Sequence, residues 1–163
     1  MRITTMEAWT EQLRLEEPYT IAYETIDRAA AVFVRAETDS GIIGYGCAAP
    51  DLQVTGETPE SVMEKFNSVV AAYMKNTDPL RIALHMERLK SELPRDPSLL
   101  AMIDMALHDI LGKRAGLPLY RILGGYREGI ATSITIGIMP LDATIEKARE
   151  YIDTGFSSLK LKG

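Results

Sequence analysis

Lys160 and Lys162 stand two residues apart in the run Gly155-Phe156-Ser157-Ser158-Leu159-Lys160-Leu161-Lys162-Gly163. On a β-strand successive side chains leave opposite faces, so both ammonium groups share one face while Leu159 and Leu161 share the other. The apolar face can pack against helices. If the strand belongs to a parallel barrel, the lysine face turns inward at the strand's C-terminal end, where barrel enzymes hold their active sites. Mutual repulsion and partial desolvation there would favour a neutral amine on at least one lysine, able to take a proton. A charged, solvent-facing sheet edge is the alternative.

Other residues of chemical interest read more plainly. Asp104 and His108 lie four apart on one helical face, half of a possible metal pair, but no third ligand is near in sequence. A solvated or salt-bridged face accounts for them. His85 reads as a surface helix residue, and Met102 and Met105 as core filling beside a buried stripe. The glycines of Gly41-Ile42-Ile43-Gly44-Tyr45-Gly46 follow a hairpin turn and do not lead from a strand into a helix. That context excludes a phosphate loop and suggests a twisted hairpin approached closely by another backbone. Cys47 is the single cysteine, which excludes an intramolecular disulfide and a cysteine-rich metal site.

The elements that must position these groups are marked by periodicity and punctuation. The chain has 163 residues, enough for one domain, or one domain and a remnant. Hydrophobic residues make up 46% and charged residues 25%, a globular balance, and the net charge of −5 gives no reason to expect nucleic acid or an anionic membrane as partner. No signal peptide or spanning segment is read, so the expected location is cytoplasmic. Residues 2–17 read as a strand with Trp9, Leu13 and Leu15 alternating. Ala29–Thr38, Asp39-Ser40-Gly41 and Ile42–Cys47 read as an antiparallel hairpin. Pro18–Asp27 and Pro50–Thr58 read as long loops, a length that favours contact with a ligand.

Three helices follow, announced by Thr58-Pro59, Asp78-Pro79 and Asp96-Pro97 and ended at Gly116. Their stripes are Val62, Phe66, Val69, Val70 and Tyr73; then Ile82, Met86, Leu89 and Leu93; then Leu100, Ile103, Leu107 and Ile110. Beyond a short turn and Gly124-Gly125, a strand at Ile130–Ile138, a helix at Pro140–Thr154 and a strand at Phe156–Lys162 make one β-α-β unit. The helix turns Ile145, Ala148 and Ile152 to one side. Such a unit builds parallel sheet with a right-handed crossover. A parallel pair without neighbours cannot bury both faces, so the chain is expected to be a fragment or truncated form of a longer protein.

This order of elements resembles the enolase superfamily, in particular the muconate lactonizing enzyme subgroup and, within it, the dipeptide epimerases. The matching stretches are Asp39–Gly46, Val54-Thr55-Gly56-Glu57-Thr58, Ala106-Leu107-His108-Asp109, Gly116-Leu117-Pro118-Leu119-Tyr120 and Leu123-Gly124-Gly125, extended by Thr132–Ile138 and Gly155–Gly163. The fold class so implied is an α+β capping domain, a three-stranded antiparallel meander with a helical bundle, followed by the first β-α-β of a truncated (β/α) barrel. Residues 1–127 match the cap and residues 128–163 the start of the barrel.

The chemistry implied for the complete protein is abstraction of the proton alpha to a carboxylate, with the enediolate stabilised by Mg2+ and nearby cations. The resemblance makes Lys162 a general base, Lys160 an electrostatic partner of the substrate carboxylate, and Thr135 a substrate contact. The family's carboxylate metal ligands belong to later barrel strands, so no metal ligand is assigned in this chain, which alone is expected to be inactive. Muconate cycloisomerase, o-succinylbenzoate synthase and a non-catalytic stand-alone module are the alternatives. The implied partners are a small carboxylate substrate, a dipeptide, and further copies in a homo-oligomer. Glu24, in the loop that covers substrate in the family, would repel an acidic side chain and favour a cationic or uncharged dipeptide. Cys47 departs from the Glu that many relatives carry after Gly-x-Gly.

Overall fold

The computed structural model describes residues 1–20 and 25–163 and divides the chain into two compact units. The first comprises Met1–Gln12 and Ala30–Gly125, the second Leu13–Ala29 and Tyr126–Gly163. Three strands form one sheet in the order β1-β2-β3: β1 (Ile3–Thr20), β2 (Thr25–Thr38) and β3 (Ile43–Ala48). Asp39-Ser40-Gly41 makes the predicted turn between β2 and β3, with Gly41 at φ 79° and antiparallel register from Val32↔Ala48 to Glu37↔Ile43. β1 and β2 reach farther than the sequence suggests. Pro18–Thr20 and Thr25–Asp27 are strand, not loop, and only residues 21–24 of that expected loop, Glu24 among them, lie outside the described residues.

The helices of the first unit are α1 (Pro59–Lys65), which continues through a π-helical turn (Phe66–Val70) into α2 (Ala71–Met74), then α3 (Ile82–Glu92), α4 (Pro97–Ala115) and the short α5 (Leu119–Ile122). Val62, Phe66, Val70 and Met74 are all buried at a constant spacing of four. In a regular α-helix each such step drifts by about 40° around the axis. The wider π-turn absorbs part of that drift and keeps the four on the core side. They pack with Ile3, Val32 and Val34 of the sheet and with Leu99, Met102 and Ile103 of α4.

β3 and α4 meet backbone to backbone. A Cβ on Gly44 would collide with the carbonyl oxygen of Ala106, and one on Gly46 with that of Met102. The hairpin glycines therefore admit a helix, as their position after the turn suggested. β3 is an edge strand, and its outer groups need partners. The Tyr45 N–H donates to the Asp109 carboxylate at 2.8 Å, while the Lys113 ammonium donates to the Ile43 carbonyl and to Asp109, each at 2.7 Å.

Both ends of α4 are closed. Pro97 has no N–H to satisfy, and the next two, Ser98 and Leu99, donate to the two carboxylate oxygens of Glu57 at 2.8 and 3.1 Å. Glu57 is 2% exposed, a buried anion at a helix N-terminus. Asp96 caps nothing with its side chain and pairs instead with Lys65 at 2.6 Å. Gly116, at φ 65°, ends the helix in the left-handed conformation.

Three expectations fail in this unit. Asp78-Pro79 does not open a helix: the Asp78 side chain accepts from the Leu80 N–H and its carbonyl from Arg81, a turn that delays α3 to Ile82. His85 is buried, not superficial. Its Nε2–H donates to the Asp78 carbonyl at 2.8 Å, which leaves Nδ1 to accept from the Tyr73 hydroxyl at 2.9 Å. Met105 is 48% exposed while Met102 is fully buried, so only Met102 fills the core.

In the second unit β4 (Ile134–Ile136) and β5 (Leu159–Leu161) pair in parallel, with α6 (Leu141–Asp153) between them in sequence. Both strands are shorter than the expected Ile130–Ile138 and Phe156–Lys162, because ladder pairing covers only these residues. α6 turns Thr144, Lys147, Ala148 and Tyr151 to partly buried positions, while Ile145 and Ile152 are exposed, contrary to the expected stripe. No helix of the described residues is long and apolar enough to cross a membrane.

The β3–α4 approach carries a prediction. Gly46→Ala should destabilise the protein by at least ~1–3 kcal/mol, the usual cost of overpacking. Gly41→Ala, which meets no atom within 4 Å and suffers only from its positive φ, should cost about 1 kcal/mol. Urea unfolding of the two variants measures the difference.

Candidate functional site

The β-α-β of the second unit brings three of the expected site residues to one face. In the parallel ladder Thr135 lies opposite Lys160, and Ile134 and Ile136 lie opposite Leu159 and Leu161. Strand alternation turns Thr135 and Lys160 one way and the four apolar residues the other. The Lys162 N–H donates to the Ile136 carbonyl at 3.0 Å, which carries the ladder one step on and sets Lys162 on the face of Lys160. Ile136, at 1% exposed, anchors the opposite face.

The result is a hydroxyl and two ammonium groups held by strand backbone at the C-terminal ends of two parallel strands. Such a face suits an anion: one lysine can oppose a carboxylate as a cation while the other, as an amine, can exchange a proton with a carbon acid. Both lysines are exposed, so the described residues do not supply the desolvation expected of them. The alternation itself stands.

Other candidates separate from this face. His108 Nδ1 lies 2.9 Å from the Asp104 carbonyl oxygen and 3.3 Å from its carboxylate, an i,i+4 contact within the helix surface. Among the described residues no group of three His, Cys, Asp or Glu is placed to hold a metal ion. The face of Thr135, Lys160 and Lys162 offers cations and no carboxylate, so these residues do not fit a Mg2+ site. Two residues of consequence were not singled out for the roles they take. Glu57 lay inside a quoted landmark, but its partners at Ser98 and Leu99 are more than forty positions away. Lys147 had no local signal, since its partner Glu17 precedes it by 130 positions.

Residues 3–124 match the family described as "Mandelate racemase / muconate lactonizing enzyme, N-terminal domain", and the chain belongs to that family. The L-Lys-D/L-Arg epimerase of Desulforapulum autotrophicum is 43% identical over 162 residues, covering 99% of this chain and 46% of the relative. The dipeptide epimerase of Enterococcus faecalis V583, solved with Mg and L-Leu-L-Tyr, superposes with a TM-score of 0.95 at 34% identity, over 100% of this chain and 46% of that one. The dipeptide epimerase of Methylococcus capsulatus, solved with Mg and L-Arg-D-Lys, gives 0.93 at 35% identity, over 99% and 46%. The chain thus spans about half the length of the relatives it matches.

Cys47 supplies a pH-dependent prediction. It is half-buried on β3, and burial pushes its thiol above the ordinary range. The thiolate is the nucleophile, so a raised pKa means less of it at any pH below that value. Alkylation of Cys47 by iodoacetamide at pH 8 should be slower than that of free cysteine, and the rate should still be rising about tenfold per pH unit beyond the pH where free cysteine levels off. A rate equal to free cysteine across that range would contradict the burial.

Proposed function

We propose that the whole protein is an epimerase of dipeptides that works by removing the proton alpha to a carboxylate, with a preference for dipeptides bearing cationic side chains. Residues 1–127 serve as its cap and residues 128–163 as the opening of its barrel. The observation that carries the reading is the shared face of Thr135, Lys160 and Lys162.

On this reading Lys162, as the free amine, takes the α-proton, and the C–H electron pair moves into the adjoining carboxylate. The Lys160 ammonium lies beside the oxygens on which negative charge accumulates, and the Thr135 hydroxyl donates to the substrate. A proton returned from the opposite side inverts the centre; the group that returns it is assigned, like the Mg ligands, to parts of the whole protein outside these 163 residues. The solved relatives hold Mg, whose ligands are assigned here to parts of the whole protein outside these 163 residues.

Two facts support the cationic preference. The Desulforapulum relative is an L-Lys-D/L-Arg epimerase, and the Methylococcus structure holds L-Arg-D-Lys. Glu24 supplies the complementary charge by its residue type, although it lies outside the described residues. A carboxylate there attracts an ammonium or guanidinium and repels the side chain of Ala-Glu.

The test uses the full-length protein in D2O with proton NMR at the α-carbon. A dipeptide of Lys and Arg should exchange its α-proton with higher kcat/KM than L-Ala-L-Glu, and Glu24→Arg should narrow that gap by about tenfold or more. Lys162→Met should lower kcat by roughly 10²–10⁴. Exchange undiminished in Lys162→Met would remove the lysine from the chemistry. No exchange in any dipeptide would favour a binding module.

A further inference from the structure

Lys147 has more partners than an ordinary helix-surface lysine. From α6 its ammonium reaches Glu17 on β1 at 3.0 Å and Glu150 on its own helix at 3.1 Å, and it lies 5.0 Å from the centre of the Tyr151 ring. Its side chain is only 21% exposed. The two carboxylates hold it protonated well above the ordinary lysine range. Glu16 and Glu146 flank the same groove, with Pro18 and Met139, so Lys147 is the cation that offsets four acids there.

What Glu17 belongs to gives this pair its significance. Leu13–Thr20 of β1 and Thr25–Ala29 of β2 form a ribbon that clusters with the β4-α6-β5 segment and not with the rest of their own strands. The ribbon is tied in at a second point: the Ile138 N–H donates to the Thr20 carbonyl at 2.9 Å. Ile138 lies two residues past Ile136, whose carbonyl holds the Lys162 N–H. The described end of the ribbon is therefore fixed to the chain emerging from the C-terminal end of β4, the end at which Thr135, Lys160 and Lys162 are displayed.

We propose that Lys147 is a positioning residue: by bridging Glu17 and Glu150 it holds the β1–β2 ribbon on α6, and so steadies Thr20 beside the C-terminal end of β4, where the Thr135–Lys160–Lys162 face is displayed. It touches no substrate. The backbone bond at Thr20 fixes the ribbon's described end, and the Lys147 bridge attaches it again at Glu17, three residues back. Among the described residues of the ribbon, Leu13 is 48% exposed, and Leu15 and Ile26 are only partly buried. The consequence for substrate rests on the function proposed above; the attachment itself does not.

The experiment compares the full-length protein with Lys147→Met, and with Lys147→Glu combined with Glu17→Lys, which restores an opposite-charge pair across the same gap. Hydrogen exchange of residues 13–20 and 25–29 should quicken about two- to fivefold in Lys147→Met, the range of a partly exposed pair, while residues 30–48 keep their rates. KM for the cationic dipeptide should rise by a similar factor with kcat nearly unchanged, and the double substitution should recover both. Unchanged exchange in the ribbon overturns the anchor, whatever happens to activity. Quickened exchange with unaltered KM overturns its role at the site. If the unaltered protein turns over no dipeptide, the functional reading fails, and the exchange comparison alone decides the attachment.

Discussion

The approach of the β3 backbone to α4 is the constraint on which the first unit depends. Two glycines without Cβ atoms let the strand settle against the carbonyls of Met102 and Ala106, at a distance no side chain could share. Once the helix is that close, the rest is forced. The outer groups of the edge strand come within reach of Asp109 and Lys113, one turn apart on the same helix. The N-terminus of α4 lands on Glu57, which closes it with two charge-assisted bonds from within the core. With α4 fixed at its start, its middle and its Gly116 stop, Leu99, Met102, Ile103 and Leu107 present a single wall to the π-turned helix and to the sheet. Each such fully buried side chain contributes about 1.5–3 kcal/mol, but only because the helix axis cannot slide.

The second unit is built on other terms. Ile136 is its one buried hydrophobic residue among those described, and its cohesion comes from a short parallel ladder, the Thr20–Ile138 bond and the Lys147 bridge. A face that displays charge has to be stiffened by backbone rather than by packing around the charged groups. Strands do this well, because the alternation that puts Lys160 and Lys162 together is a property of the pleat and survives exposure.

What could be read in the sequence was what is local. Lys-x-Lys depends on a period of two, the β2–β3 turn on a three-residue signal, and the helix at Thr58-Pro59 on a capping residue before proline, which the structure completes with a reciprocal bond from Ser61. Asp78-Pro79 misled because the same dipeptide serves an Asx turn, and the choice lay with the carbonyl of Asp78, which also accepts a hydrogen bond from the buried His85 seven residues on. His85 itself could not be placed, since its second partner, Tyr73, belongs to another helix. Met102 and Met105 carry the same side chain three residues apart, and Met102 falls with Leu99, Ile103 and Ala106 on the buried side of α4 while Met105 does not. The Glu57 and Lys147 contacts join residues too distant in sequence for any pattern to link.

The division of β1 and β2 between two compact units bears on synthesis. The ribbon of residues 13–29 leaves the ribosome long before Tyr126–Gly163, the segment it joins. In that interval it is a strand pair without its support, the kind of edge on which nascent chains associate. Its composition answers the hazard: Arg14, Glu16 and Glu17 interrupt the apolar positions of β1, and charges so placed act as gatekeepers against pairing with a neighbouring chain. No single cut in the backbone separates the two units, because each is assembled from two stretches of sequence interleaved with those of the other. Dissection of this protein into independently expressed halves at one point near Tyr126 would leave the ribbon on the wrong piece.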